Sequence, residues 1–408
     1  MRSCGDAGVS RIIPESGNIF MRIAINGRSF LKKNMTGIGR YAFNLVRSLG
    51  EMDRENEYWL YVRKRVLDFR RRTPRFPFKN FKVKADYFNR GAGAVLRGAD
   101  IYHSPSLDFI DFTQGKVIVT VHDLIYKIFP QAHTPQTRDV SERQMQEIVR
   151  KADHIICCSQ VTANDLMRYF PVDQERLSVI HQGVDKTLFF PLQGQSLEAA
   201  WRAVQAKGVT GPFLLFVGTL EPRKNLVHLL EAFERVKGRG IFNGQLVVIG
   251  MPGWMMGQLE TRLSGMKARA DILFPGFVSD EDLRCFYNCA DIFVFPSFYE
   301  GFGFPVLEAF CCGAPVITSR GSACEEVAAG AAEMIDPESP EAIAEAVGRI
   351  IQDKEYRRRL KAAALKRAED FSFRKTAEET LRVYQKVFKD QRHVKRALAW
   401  GYHAGSAA

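Results

Sequence analysis

Apolar runs of strand length alternate with amphipathic segments along most of the chain. MRIAIN, YWLYV, ADIYHSP, KVIVTVHD and HIICCS are nearly continuous in apolar residues, as strands covered on both faces are. Between them, GIGRYAFNLVRSL and SQVTANDLMRYF place apolar residues at helical spacing. The regularity breaks around Gly183, where HQGVDKTLFFPLQGQSLEAA carries Gly and Pro without a period, and a linker is expected there. FLLFVG, GQLVVIG, DILFPGFV, DIFVFPS and APVITS then form a second series, and the chain closes on the amphipathic EETLRVYQKVFK. Repeated strand–helix alternation predicts an α/β fold of two doubly wound, Rossmann-like domains facing a central cleft. The expected division is 21–185, 186–375, and 376–408 as a C-terminal helix and tail. Residues 1–20 lack the apolar centre of a signal peptide, and are expected to be an extension without order ahead of a fold beginning at Met21.

A length of 408 residues agrees with more than one core. No apolar run is long enough to cross a bilayer. The eight cysteines have no zinc-like spacing with histidine, and several sit in apolar segments, so they read as reduced buried thiols. The formal charge of +12 is uneven: residues 63–90 hold eleven Lys/Arg against two Asp, interleaved with Phe69, Phe76, Phe78 and Phe81. A solvated basic face and an anionic membrane surface both fit this composition. Nucleic acid finds no supporting motif.

Ligands of such sheets bind beyond the carboxyl ends of the strands, so the strand-to-helix loops carry the candidate chemistry. PSFYEGFGFPVLEAFCCG follows the apolar run DIFVF. Glu300 falls on the loop, and Gly301 and Gly303 permit a ligand close to the backbone. Pro305 opens a helix and Gly313 ends it. Glu308 lies inside that helix, one turn deeper than Phe304. Carboxylates accept bonds from paired sugar hydroxyls, and helix-opening amides attract phosphate, so the stretch suits a sugar nucleotide. From spacing alone, an ordinary helix N-terminus is the safer reading. VGTLEPRKNL adds Arg223 and Lys224 just after a strand and a glycine, Gly218, where adjacent cations suit a diphosphate. In GFVSDEDL, the backbone at Phe277 and Val278 is placed to read a nucleobase edge.

Taken together, these motifs resemble the family-4 retaining glycosyltransferases of the GT-B fold. PSFYEGFGFPVLEAFCCGAPVITS resembles their signature of two glutamates, VGTLEPRKNL their diphosphate clamp, and GSACEEVAAGAAEMIDP their closing segment, with Glu325 where proline is common. The resemblance spans essentially residues 21–390. It implies an N-terminal acceptor-side domain, a C-terminal nucleotide-sugar-binding domain, and a last helix crossing back to the first. It also implies that Glu300 binds donor-sugar hydroxyls, Glu308 the ribose, and the amides of Phe302, Gly303 and Phe304 the sugar and phosphates. Arg223 and Lys224 would neutralise the leaving diphosphate. Many relatives have arginine where this chain has Thr219. The GTLEPRKN form resembles members that use GDP-mannose in polysaccharide or O-antigen assembly. UDP-linked glucose, galactose or N-acetylglucosamine is the alternative donor, and the expected acceptor is a growing, lipid-linked glycan. The resulting expectation is a cytoplasmic enzyme, peripheral on the inner face of the membrane through 63–90.

In the first domain, TGIGRYAFNL loosely matches a dinucleotide fingerprint. Ten residues separate MRIAIN from Gly37, too many for a tight Rossmann turn, and YWLYVRKR ends in cations where NAD binding needs an acid. Under the resemblance, the amides from Gly37 to Gly39 face the donor phosphates, and His122, ending VIVTVHDL, touches donor sugar or acceptor. His103 has the same kind of placement. Ser159 reads as a helix cap. Asp280, Glu281 and Asp282 follow Ser279 at a helix start, where acids are favoured anyway, so no metal or other cofactor is expected. Three other readings are a non-catalytic scaffold of the same fold, a sugar-nucleotide epimerase and a phosphorylase. The scaffold is disfavoured by the charges retained at Glu300, Glu308, Arg223, Lys224 and His122. A phosphorylase would need a lysine in a pyridoxal context.

Overall fold

The computed structural model describes residues 20–31, 37–63, 76–108, 112–253 and 256–390. The extension expected before Met21, apart from Phe20, lies outside these residues, as do 64–75 of the basic segment and the tail beyond 390.

Among the described residues the strands form two sheets in which every adjacent pair is parallel. The first contains β1 (Arg22–Asn26), β2 (Glu57–Arg63), β3 (Phe81–Asp86), β4 (Ile101–Ser104), β5 (Lys116–Val121), β6 (His154–Cys157) and β7 (Leu177–Val179), in the order β3-β2-β1-β4-β5-β6-β7. The second contains β8 (Phe213–Val217), β9 (Gln245–Ile249), β10 (Ile272–Gly276), β11 (Ile292–Phe295), β12 (Val316–Ser319) and β13 (Glu333–Ile335), ordered β10-β9-β8-β11-β12-β13. Both orders are doubly wound, and both reverse beside their first strand.

The apolar runs explain the layering. In the second sheet, Leu214, Phe216, Leu246, Val248, Ile292 and Val294 face one helical layer. Their neighbours Phe213, Leu215, Val247, Phe293 and Phe295 face the other. A two-residue period with both faces covered demands apolar residues at nearly every position. Each fully buried large side chain contributes about 1.5–3 kcal/mol relative to exposure. Among the described residues no helix is long and apolar enough to cross a membrane.

The last helix, Phe373–Lys389, is capped by Ser372, whose hydroxyl accepts from the Lys375 amide. It crosses back and packs with the helix Gly37–Met52 over β1, burying Ala377, Val383 and Tyr384 against Ile23, Tyr41 and Leu45. The two interdomain crossings touch: a Cβ on Gly183 would stand 2.1 Å from the Phe373 nitrogen. His103 belongs to this packing and not to the cleft. It is fully buried, bonded to Tyr384 Oη at 2.6 Å and Thr120 Oγ1 at 2.9 Å. Burial holds its pKa down at about 3, so it is a neutral pin between sheet and last helix.

The basic segment is partly spent on packing. Phe76, Phe78 and Phe81 pack against one another, and Phe81 stacks on Tyr58. The exposed apolar groups nearby are instead Val83, Tyr87 and Phe88, the last 69% exposed.

Candidate active site

The winding of the second sheet reverses between β8 and β11, and the loops leaving these two strands meet. From the β8 loop, the short turn Pro222–Lys224 brings Arg223 and Lys224 inward. From the β11 loop comes Glu300. Three donors converge on Glu300 Oε1: Lys224 Nζ at 2.6 Å, Ser297 Oγ at 2.7 Å and Arg223 Nη1 at 2.8 Å. Arg223 also donates to the Tyr299 carbonyl at 2.9 Å and pairs with Glu221. Burial alone would raise the Glu300 pKa, but the two cations outweigh it and hold it at about 2. Burial draws Lys224 below its ordinary value, opposed by Glu300. Glu300 is therefore an anion fixed by its neighbours, and the cluster of two cations and two carboxylates is balanced.

Gly303 ends the β11 loop at φ 105° and caps the helix Phe304–Cys311. A Cβ there would lie 2.9 Å from Cys324 Sγ, so glycine is required both for conformation and for space. Pro305 occupies the first turn, where its missing N–H costs nothing. Glu308 projects from the next turn and is buried, accepting from Tyr287 Oη at 3.0 Å. Burial raises its pKa to about 7, against the pull of Arg40. The two glutamates thus differ in charge behaviour although they share one short segment: one has cations packed on it, and the other is desolvated with a more distant cation.

The first domain forms the opposite wall. The Gly301 carbonyl accepts from Ser159 Oγ at 2.8 Å, Cys158 Sγ at 3.0 Å and Thr162 Oγ1 at 3.3 Å. His122 is buried, with Nε2 donating to the Pro105 carbonyl at 2.9 Å and Nδ1 accepting from Gln182 Nε2 at 2.8 Å. Desolvation lowers its pKa, and both ring nitrogens are engaged, which fixes the neutral tautomer. Gly37 faces the ring of Phe304 across the cleft, 3.5 Å from where its Cβ would be. Gly37 and Gly39 both fall in the first turn of their helix, whose leading amides lack intrahelical partners.

Two stretches match described families: residues 35–188 match "Glycosyltransferase Family 4" and residues 198–367 match "Glycosyl transferases group 1". The O-antigen chain mannosyltransferase B of Escherichia coli is 27% identical over 383 residues, 87% of this chain and 97% of that protein. The serotype-specific mannosyltransferase WbdA of Escherichia coli is 27% identical over 71% of this chain, which spans only 36% of that longer protein. Among solved structures, sucrose-phosphate synthase from Thermosynechococcus elongatus superposes with a TM-score of 0.72 at 20% identity, covering 90% of this chain and 99% of its own. HepE from Anabaena, in complex with UDP and glucose, gives 0.68 at 16% identity, covering 90% and 99%. At such identities the structures share the fold. The chain has the GT-B fold, and glycosyltransferase family models match both of its halves.

In this glycosyltransferase the other expected contacts lie along the same rim. Gly218, with φ 155°, leads out of β8, and a Cβ on it would stand 3.6 Å from Lys224 Cε. Thr219 beside it is exposed. Beyond β10, Phe277 is exposed and Val278 is buried. The ring of Phe302 is buried, edge-on to Phe304 at 5.5 Å between centroids. Ser279 accepts from the Asp282 amide, so the acids after it do open a helix. Among the described residues no group of three or more His, Cys, Asp or Glu side chains is placed to hold a metal ion.

Sequence reasoning missed the residues that tie the domains together. Ser159 does cap its helix, accepting from the Thr162 amide, but the same hydroxyl reaches the Gly301 carbonyl. Glu326 of the second domain accepts from the amides of Gln160 and Val161 and from His181 Nε2 at 2.6 Å. Arg40 of the first domain pairs with Asp280 and lies 3.8 Å from Glu308. Sequence patterns report local geometry, and all three contacts join segments more than a hundred residues apart.

Proposed function

We propose that this glycosyltransferase moves a hexosyl group, with retention at the anomeric carbon, from a nucleoside diphosphate sugar to a growing glycan in cell-surface polysaccharide synthesis. The supporting observation is the joining of an ionised Glu300, its two cations and a buried Glu308 at one switch point. Glu308 would take the ribose hydroxyls, and Glu300 the hydroxyls of the sugar near the reacting carbon. Because all three donors crowd Oε1 of Glu300, Oε2 is the oxygen a sugar would meet. Phe302, Gly303 and Phe304 would supply amides to the sugar and phosphates, and the backbone at Phe277 and Val278 would meet the base.

In this reading Glu300 is not a nucleophile. Its charge is already neutralised by Arg223 and Lys224, which weakens its attack on carbon. The acceptor oxygen bonds to C1 as the C1–phosphate bond breaks, and its proton passes to the departing diphosphate on the same face. Arg223, Lys224 and the helix-opening amides would stabilise that charge in the place a metal ion takes elsewhere. His122, held neutral, would present its ring to the sugar or acceptor and not act as a base.

Two donors remain in the proposal. A UDP-hexose gains from similar structures solved with UDP, UDP-glucose or UDP-2-fluoro glucose bound. GDP-mannose draws on the mannosyltransferase relatives. Calorimetric titration with UDP and with GDP, in metal-free buffer, separates them. Tight UDP with weak GDP selects the first donor, the reverse selects the second, and binding of neither removes the reading. The configuration of the product's anomeric proton tests retention, with inversion overturning it. The lipid-linked acceptor and a cytoplasmic, membrane-peripheral location belong to the same proposal, supported by the basic 63–90 segment and by exposed Tyr87 and Phe88.

A further inference from the structure

We propose that Arg40 is the cation the first domain supplies to the donor's diphosphate, held on Asp280 until the nucleotide arrives. The inference rests on the reading of Glu308 as the ribose acceptor. Its starting point is charge. Arg223 and Lys224 are already matched by Glu221 and Glu300, and the exposed residue after Gly218 is the uncharged Thr219. A nucleoside diphosphate brings roughly two or three negative charges, and cations shared with two carboxylates match only part of them, which leaves a place for a further cation.

Arg40 is placed to provide one. It lies in the first turn of the Gly37–Met52 helix, whose opening glycine faces Phe304 at the start of the Glu308 helix. Its guanidinium pairs closely with Asp280, while Nη1 stands 3.8 Å from Glu308 Oε1, an ion pair too long for a hydrogen bond. The side chain is a third exposed, at 33%, so it can turn without opening a core. Asp280 is not needed to cap its helix, since Ser279 does that through the Asp282 amide. The Arg40–Asp280 pair joins the two domains across the cleft. Ribose hydroxyls on Glu308 remove one of the attractions holding Arg40 where it is, and the phosphates offer a more highly charged partner. The exchange also couples donor binding to the first domain, where the acceptor is expected.

The test compares affinities of the full chain for whichever of UDP and GDP it binds, and for the matching nucleoside, in wild type, Arg40→Ala and Asp280→Asn. Measured well above the Glu308 pKa of about 7, so that the carboxylate is ionised with or without its arginine, Arg40→Ala is expected to lower diphosphate affinity about tenfold more than nucleoside affinity. Asp280→Asn keeps Arg40 and frees it, so diphosphate affinity is expected to rise about threefold or more. An unchanged ratio of diphosphate to nucleoside affinity in Arg40→Ala overturns the proposal, as does an unchanged or weakened diphosphate affinity in Asp280→Asn. Wild type that binds nucleoside and diphosphate equally overturns it too. Wild type that binds neither nucleotide overturns the reading of Glu308 beneath it.

Discussion

Gly301 sits so close beneath the carbonyl of His122 that a Cβ on it would stand 2.0 Å from the oxygen. The two residues belong to different domains, so the glycine sets how near the sheets' carboxyl ends can approach. The same residue's carbonyl is held from the first domain by Ser159 and Cys158. Closure therefore depends on the absence of one carbon atom.

Gly301→Ala should block that approach. The clash lies between domains and not within either core, so the melting temperature should stay within a few degrees of wild type. Transfer should fall about a hundredfold, the usual consequence of misplacing reacting groups by about an ångström. Solution scattering with saturating nucleotide should give a larger radius of gyration for the variant. Wild-type turnover in Gly301→Ala would show that the close contact is not part of the working state.

Replacing Glu300 tests the ion cluster. Glu300→Gln keeps a hydrogen-bond acceptor but leaves Arg223 and Lys224 facing one carboxylate, Glu221. Breaking a buried pair in this way costs about 3–5 kcal/mol, readable as a lower urea midpoint. The sign with pH follows from the folded pKa of about 2, below the ordinary 4.5. The stabilisation is fully present above pH 4.5 and is lost as pH falls towards 2. Wild-type stability should drop across that window, and Glu300→Gln should drop less steeply. Parallel profiles would mean that the cations do not hold the carboxylate as described.

Most of the layout was legible in the sequence because the strands nearest the site are buried on both faces. FLLFVG, DIFVFPS and KVIVTVHD leave little choice of assignment, and the glycines and charges beyond them mark the loops. Among the described residues the strands not anticipated are β3, β7 and β13, all at sheet edges. Edge strands have fewer apolar contacts and tolerate polar residues, as in FKVKAD, so periodicity says little about them. Phe76, Phe78 and Phe81 suggested a membrane face by composition alone, whereas in three dimensions they pack the edge beside β2. The candidate site was legible for a similar reason: its residues follow strands within a few positions. Glu326, Arg40 and the second bond of Ser159 were not, because their partners lie in the other domain.

Glu326 offers a separate test of closure. Its carboxylate accepts from both leading amides of the helix Gln160–Tyr169 and from His181 in the linker. Removing such a cap costs about 1 kcal/mol, here charged to the contact between domains. Glu326→Ala should shift a closing equilibrium by about fivefold and lower turnover by a similar factor at saturating donor. Glu326→Gln, which still accepts hydrogen bonds, should recover part of the loss. Equal turnover in all three proteins would mean that the tie is dispensable.

Glu308 sets function against stability. Its folded pKa of about 7 lies above the ordinary 4.5 because burial disfavours the charge. Between those values the folded chain keeps a proton that the unfolded chain has lost, so this group's contribution falls as pH rises through the window, by on the order of 3 kcal/mol at most. Ribose binding runs the other way, since only the carboxylate can accept from two hydroxyls at once. Nucleotide affinity should therefore be weaker at pH 6 than at pH 8 in wild type. Glu308→Gln should melt higher than wild type at pH 8, bind nucleotide about tenfold more weakly, and show a flatter pH profile of affinity. A variant that binds as tightly as wild type at pH 8 would remove Glu308 from the ribose site. One that binds weakly and melts lower would indicate that the arginine across the cleft stabilises the carboxylate more than burial opposes it.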